Sequence, residues 1–299
     1  MARQKARGKR QEARVKRVWA ILRFFTQFGF IVFTYLNVQF KILITIIKVA
    51  KFLFVTDLDQ TLVGDDLALK KLNQWLSKQR RIDGTVICYT TGRSLPLYQQ
   101  LIAQKELLEP DILVLATGTE IYYPGSETPD SEWTNKISLG WDREQVIEIT
   151  SRFPCLVPQS PLEQTDFKVS YYTNTKGLSV TLPRLKAIWQ NHGLAVQMID
   201  NFGGAFLDIL PALANKAASA LFLQQRLGFT NEQTLICGDS GNDLSMFENM
   251  LCPAIIVGNA EPKILDWHEN SPPGNRYLAK SHFANGILEG LKYFEFYRE

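Results

Sequence analysis

Cysteine is scarce in this 299-residue chain: Cys88, Cys155, Cys237 and Cys252 lie far apart, and no C-x-x-C pair occurs. Neither a disulfide framework nor a zinc site is signalled, and a reducing cytoplasm is the expected compartment. Histidine is scarcer still. His192, His268 and His282 are widely separated, and each reads as a surface or satisfied buried side chain rather than a catalytic one. The body also lacks internal repeats and low-complexity linkers. What remains, with 45% hydrophobic and 21% charged residues, is a globular, enzyme-sized chain able to bury one large core or two smaller ones.

Long uninterrupted apolar runs are missing too. The longest stretch free of Lys and Arg in the hydrophobic N-terminal region is Phe24 to Phe40, 17 residues, broken by Thr26, Gln27, Thr34, Asn37 and Gln39. That is the lower limit for crossing a bilayer, and the flanking charges would make a single span export everything after it. Residues 1–50 are therefore expected to be an extension that lies on the membrane surface, is removed or poorly ordered, or begins too far upstream. No small-residue site follows that would mark a cleaved signal. Residues 1–17 hold eight Lys or Arg against one Glu, which leaves a net charge of −4 on the rest. A mildly acidic body gives no sign of nucleic-acid binding.

What is present is a set of short apolar runs that each end in small or acidic residues. The run Phe52-Leu53-Phe54-Val55 reads as a strand buried on both faces, and Asp57 and Asp59 follow it two residues apart. Two carboxylates this close raise each other's pKa unless a cation or a shared proton separates them. A divided role resolves the conflict, with one carboxylate a metal-touching nucleophile and the other a protonated general acid. A helix is expected after Gly64, with Asp65 or Asp66 as its N-cap and Leu69, Leu72, Trp75 and Leu76 on its buried face.

The pattern recurs. Strand Thr85–Tyr89 ends in Thr90-Thr91-Gly92-Arg93, where the Thr91 hydroxyl and the backbone at Gly92 could hold a phosphate oxygen. Strand Ile112–Ala116 ends in Thr117-Gly118-Thr119-Glu120. Strand Thr234–Cys237 ends in Gly238-Asp239-Ser240-Gly241-Asn242-Asp243, whose acids suit a hard cation. Strand Ala254–Val257 ends in Gly258-Asn259-Ala260. Lys216 opens a helix and can supply positive charge. Strand alternating with helix predicts a doubly wound parallel α/β sheet of Rossmann-like type, interrupted by a separate α+β unit. The expected divisions are 51–127 and 209–299 for the core and 128–208 for the insertion, the core pattern resuming near Leu207–Pro211. A phosphate dianion beside Asp57, Asp239 and Asp243 would meet about 4 kcal/mol of repulsion per close pair at an effective dielectric near 20, which Mg²⁺ and Lys216 would offset.

In this order and separation, D-L-D-Q-T, T-T-G-R, Lys216 and G-D-S-G-N-D resemble the haloacid dehalogenase superfamily of aspartate-nucleophile phosphatases, and the insertion is similar to its large cap. The resemblance narrows to the sucrose-phosphate phosphatases through A-T-G-T-E-I-Y-Y at 116–123, P-Q-S-P-L-E-Q at 158–164, K-V-S-Y-Y at 168–172 and N-K-A at 215–217. It runs from about Lys51 to the C-terminus and says nothing of the first 50 residues. Gln60, Leu62 and Ala217 depart from residues frequent in similar sequences, without removing a reacting group.

The resemblance implies Mg²⁺-dependent hydrolysis of sucrose 6-phosphate, the last step of sucrose synthesis. Asp57 would attack phosphorus, and Asp59 would protonate the sugar oxygen and later activate water. Thr91 and Lys216 would hold the phosphoryl group. Asp57, the backbone carbonyl of Asp59 and Asp239 would ligate Mg²⁺, with Asp243 in the metal site and Asn242 supporting it. Sugar and phosphate contacts are expected from Gly92, Arg93, Thr119, Glu120, Gln159, Ser160, Glu163, Gln164, Lys168, Ser170 and Tyr171. Two alternatives stand beside it: a related sugar phosphatase acting on mannosylglycerate or glucosylglycerol phosphate, and a non-catalytic partner of sucrose-phosphate synthase. Membrane contact, if any, would be peripheral and confined to residues 1–50.

Overall fold

The computed structural model describes residues 52–201 and 204–297. The expectations for residues 1–50 fall outside the described residues. Along the described chain run the strands β1 (Leu53–Thr56), β2 (Val86–Thr90), β3 (Ile112–Leu115), β4 (Glu120–Tyr122), β5 (Val157–Pro158), β6 (Val169–Tyr172), β7 (Val196–Asn201), β8 (Phe206–Pro211), β9 (Thr234–Gly238), β10 (Ala254–Ile256) and β11 (Arg276–Leu278).

Seven of them form one sheet in the order β11-β10-β9-β1-β2-β3-β4. All neighbours are parallel except β4, which returns antiparallel to β3 at the edge. The central strand shows why the sheet is covered on both sides. Phe52 and Phe54 enter one apolar cluster with Leu69, Leu72, Trp75, Ile287 and Leu291, while Leu53 and Val55 enter the opposite one with Ala217, Ala220, Leu223, Met246 and Ile264. Alternation with period two thus feeds two cores, each fully buried side chain contributing about 1.5–3 kcal/mol. Asp65 caps the helix Asp66–Asp83 by accepting from the amides of Leu67 and Ala68, both at 3.0 Å.

The second sheet has the order β5-β6-β8-β7 and is antiparallel throughout. Helices Arg143–Thr150 and Thr175–His192 supply Val146, Ile149, Leu178, Leu185 and Trp189 to a third apolar cluster, which Val169, Tyr171, Leu207 and Ile209 close from the strands. The doubly wound α/β sheet with an inserted α+β unit is therefore as expected, with one correction. The stretch Leu207–Pro211 does not return to the large sheet: it is β8, paired with β6 and β7 in the small one. Its apolar run L-D-I-L-P resembles a core strand because Leu207 and Ile209 are themselves buried, but in the third cluster.

Candidate active site

The strand order brings the acidic loops together. β1 lies between β2 and β9, so the segments leaving the carboxyl ends of these three parallel strands meet above the middle of the sheet, where open α/β sheets place their ligand crevice. Asp57 follows β1, Thr91 follows β2, and Asp239 follows β9. Carboxylate oxygens of Asp57, Asp239 and Asp243 lie within 4.8 Å of one another, all three residues buried. Lys216, the first residue of helix Lys216–Leu227, is fully buried and donates to Asp57 Oδ1 at 2.5 Å and to Asp243 Oδ1 at 2.7 Å.

Three carboxylates face one ammonium, and the protonation equilibria reflect the imbalance. Burial pushes the Asp57 carboxyl up, Lys216 pulls it back, and Asp243 adds to the rise. Asp239 is also pushed up, by burial first and then by the charges of Asp57 and Asp243. Lys216 moves up: burial alone would lower it, but Asp243 and Asp57 outweigh burial and keep the amine charged. A buried site with surplus negative charge and clustered oxygen donors fits a hard divalent cation. Its donors are also braced. Thr61 Oγ1 donates to Asp239 Oδ1 at 2.5 Å, and the amides of Asp239 and Ser240 both donate to Asp243 Oδ2 at 3.0 Å.

The neighbouring turns close tightly on this set. Gly92 sits against Thr117 and Asn242, whose side-chain atoms lie 3.6 and 3.7 Å from where a Cβ would stand. Gly118 has a φ of +94°, and a Cβ there would lie 2.4 Å from the Asn215 carbonyl and 2.8 Å from the Lys216 amide. Only glycine lets this turn approach the helix start that presents Lys216.

Asp59 and Arg93 pair with each other. The Arg93 guanidinium forks onto Asp59, Nε to Oδ2 at 2.8 Å and Nη2 to Oδ1 at 2.7 Å, while Nη1 reaches the Leu97 carbonyl at 3.3 Å. That side chain was expected on substrate; in this structure its fork is on the second aspartate.

The residues expected to read sugar divide by strand face. Lys168 and Ser170 share one side of the β6 segment. The buried Lys168 amine donates to the Gly92 carbonyl at 3.1 Å, with Glu163 Oε2 at 3.6 Å and Asp208 Oδ1 at 3.9 Å. Ser170 Oγ donates to Asp208 Oδ1 at 2.6 Å. Tyr171 points the other way, into the third apolar cluster, with its hydroxyl 2.5 Å from Thr150 Oγ1. It is thereby separated from Lys168 and Ser170, because adjacent strand residues cannot share a face, and lines a cavity with Gln159 and Gln164 instead. Gln164 is turned onto β6, donating to Ser170 O at 2.9 Å and accepting from Ser170 N at 2.9 Å. Gln159 donates to Tyr171 O at 3.1 Å, Ser160 Oγ caps its own turn by accepting from Leu162 N, and Thr119 Oγ1 donates to Ala116 O at 3.0 Å. Glu120 accepts from Tyr122 OH at 3.2 Å and lines a cavity of about 290 Å³ with Ser94, Leu162, Gln164 and Thr165, so it sits where the two sheets meet.

Asp208 was missed in the sequence. It is buried on β8, accepts from Ser170 on one oxygen and from Thr117 Oγ1 on the other at 3.4 Å, and so joins the small sheet to the Thr117-Gly118 turn. Its signal was a lone acid inside an apolar run, flanked by residues buried on the opposite face.

The doubly wound sheet, the acidic set at its centre and the inserted antiparallel unit define a protein of the haloacid dehalogenase class. The chain belongs to the sucrose-6F-phosphate phosphohydrolase family, whose model matches residues 50–295. It is 36% identical over 252 residues to sucrose-phosphatase 2 of Nicotiana tabacum, covering 81% of this chain and 59% of that one. A sucrose-phosphatase from a Synechocystis species, solved with sucrose and phosphate, superposes with a TM-score of 0.75 at 38% identity, covering 82% of this chain and 98% of that one. A haloacid dehalogenase-like hydrolase from Bacillus subtilis shares the fold at a TM-score of 0.59 and 18% identity, over 83% of this chain and 93% of its own. Among the described residues no helix is long and apolar enough to cross a membrane.

Proposed function

We propose that this chain hydrolyses sucrose 6-phosphate to sucrose and phosphate through a phosphoryl group carried transiently on Asp57. The observation that carries the reading is the buried trio Asp57, Asp239 and Asp243 with Lys216 lodged between two of its members. Family membership, and a related structure holding sucrose and phosphate, support the choice of substrate.

The chemistry follows from the placement of groups. Asp57 Oδ attacks phosphorus in line with the departing sugar oxygen, forming the acyl phosphate as the P–O bond to sugar breaks. For Asp59 to protonate that oxygen, one of its own oxygens leaves the Arg93 fork and takes up a proton; the same carboxylate then takes a proton from the water that opens the acyl phosphate. Thr91, the backbone at Gly92 and the charged Lys216 hold the phosphoryl oxygens. Mg²⁺ would be held by Asp57, Asp239, Asp243 and the Asp59 carbonyl, Asn242 supporting them; when bound, it neutralises charge on the transferring group. Lys168, Ser170, Glu163 and Glu120 read the sugar, with Asp208 fixing Lys168 and Ser170 in place. The intact acidic set argues against a decayed, non-catalytic partner.

Four free cysteines, Cys88, Cys237 and Cys252 among them buried, support a reducing cytoplasm. Sucrose-phosphate synthase, which makes the substrate, is the partner we would test, by co-purification. Phosphate release from sucrose 6-phosphate, measured beside mannosylglycerate and glucosylglycerol phosphates with and without chelator, tests the assignment. Sucrose 6-phosphate should be preferred and chelator should stop turnover; equal rates on all three would sink the sucrose reading.

A further inference from the structure

The Gly258-Asn259-Ala260 turn after β10 takes no part in the reaction above, yet it and the residue that follows touch both acidic loops. Asn259 Nδ2 donates to the Gln60 carbonyl at 2.7 Å, and Asn259 Oδ1 accepts from the Phe283 amide at 2.9 Å. Gln60 and Phe283 both lie in the left-handed region, with φ of 62° and 50°. Non-glycine residues persist there only when their surroundings hold them. One asparagine holds two of them. The Gln60 carbonyl shares its peptide group with the amide of Thr61, and Thr61 is the residue whose hydroxyl braces Asp239.

Two residues further on, Glu261 reaches the other loop. Its amide donates to the Asp239 carbonyl at 2.8 Å, and its Oε2 accepts from the Gly241 amide at 3.2 Å. The turn is itself seated firmly. The Gly258 amide donates to Ser281 O at 2.9 Å, and a Cβ at 258 would lie 2.7–2.9 Å from the carbonyls of Ala279, Lys280 and Ser281. That backbone is in turn held by Glu289, which accepts from the amides of Lys280 and Ser281 at 3.0 and 2.9 Å.

We propose that Asn259 and Glu261 are positioning residues: together they splint the Asp57–Thr61 loop to the Asp239–Gly241 loop and set the spacing of carboxylates that come from opposite ends of the chain. The proposal rests on the reading of those carboxylates as a divalent-cation site. Residues that orient metal ligands from behind change affinity or activity by about 10–100-fold when replaced.

The test uses the full chain and Mg²⁺ alone as probe, by titration calorimetry, with the melting temperature in chelator and kcat and KM on sucrose 6-phosphate taken alongside. Asn259→Asp keeps the acceptor for Phe283 and removes the donor to Gln60; Glu261→Ala removes the acceptor for Gly241. Each should weaken Mg²⁺ binding about tenfold or more, lower kcat at limiting Mg²⁺ and leave KM for the sugar phosphate nearly unchanged at saturating Mg²⁺. Asn259→Ala, which removes both bonds without adding charge, gives the same readout should the aspartate disturb folding. Wild-type Mg²⁺ affinity in these variants, with or without a lowered melting temperature, would overturn the splint. If the unaltered chain binds no Mg²⁺, the cation-site reading itself falls and the splint with it.

Discussion

The guanidinium of Arg93 grips both carboxylate oxygens of Asp59, Nε at 2.8 Å and Nη2 at 2.7 Å, across 34 residues of sequence. A planar fork of this kind fixes the carboxylate in rotation as well as in place, which an ammonium cannot do. Arg93→Lys should therefore lower kcat by about tenfold with little change in KM, since general acid–base catalysis contributes about 10²–10⁴-fold and only part of it depends on aim. Steady-state kinetics on sucrose 6-phosphate checks this. A raised KM at unchanged kcat would return Arg93 to the substrate-binding role expected from sequence.

Lys216 has no solvent contact and joins Asp57 to Asp243. Lys216→Met should destabilise the metal-free fold by about 3–5 kcal/mol, because it leaves buried carboxylates without their counter-charge. Urea unfolding with and without Mg²⁺ measures it. The loss should shrink when Mg²⁺ is present; an unfolding midpoint equal to that of the unaltered chain would show that the pair contributes nothing.

Away from the site, Glu289 carries the clearest pH signature. Burial alone would raise its pKa, but hydrogen bonds from the Lys280 amide, Tyr277 and Ser281 lower it from 4.5 to about 2. A carboxyl held below its unfolded value stabilises the fold fully above about pH 4.5, and that contribution is lost as the pH falls toward 2. Glu289→Gln should lower the melting temperature at neutral pH and flatten its decline between those limits. A variant whose acid limb matches that of the unaltered chain would contradict the assignment.

Much of the fold and the acidic loops that cluster in it were legible in the sequence, because each loop is local: Asp57 and Asp59, or Asp239 and Asp243, stand within five residues of each other at the end of an apolar run. Alternating strand and helix announces a parallel sheet, but that β1 lies between β2 and β9, which brings the loops together, is seen only in the structure. What was not legible depended on which face a residue takes. Tyr171 was grouped with Ser170 although neighbours on a strand diverge, and β8 was assigned to the large sheet because a buried strand reads alike in either. Asp208, and the bonds of Asn259 and Arg93, are long-range pairings that no local pattern records.

The central claim is that Asp57 takes the phosphoryl group. Acid-quenching the enzyme during turnover of sucrose 6-phosphate, followed by peptide mass spectrometry, measures this most directly. The peptide containing Asp57 should gain one phosphoryl group in the unaltered chain and none in Asp57→Asn, which should also release no phosphate. A phosphoryl group found on any other residue, or sustained turnover by Asp57→Asn, would contradict the account.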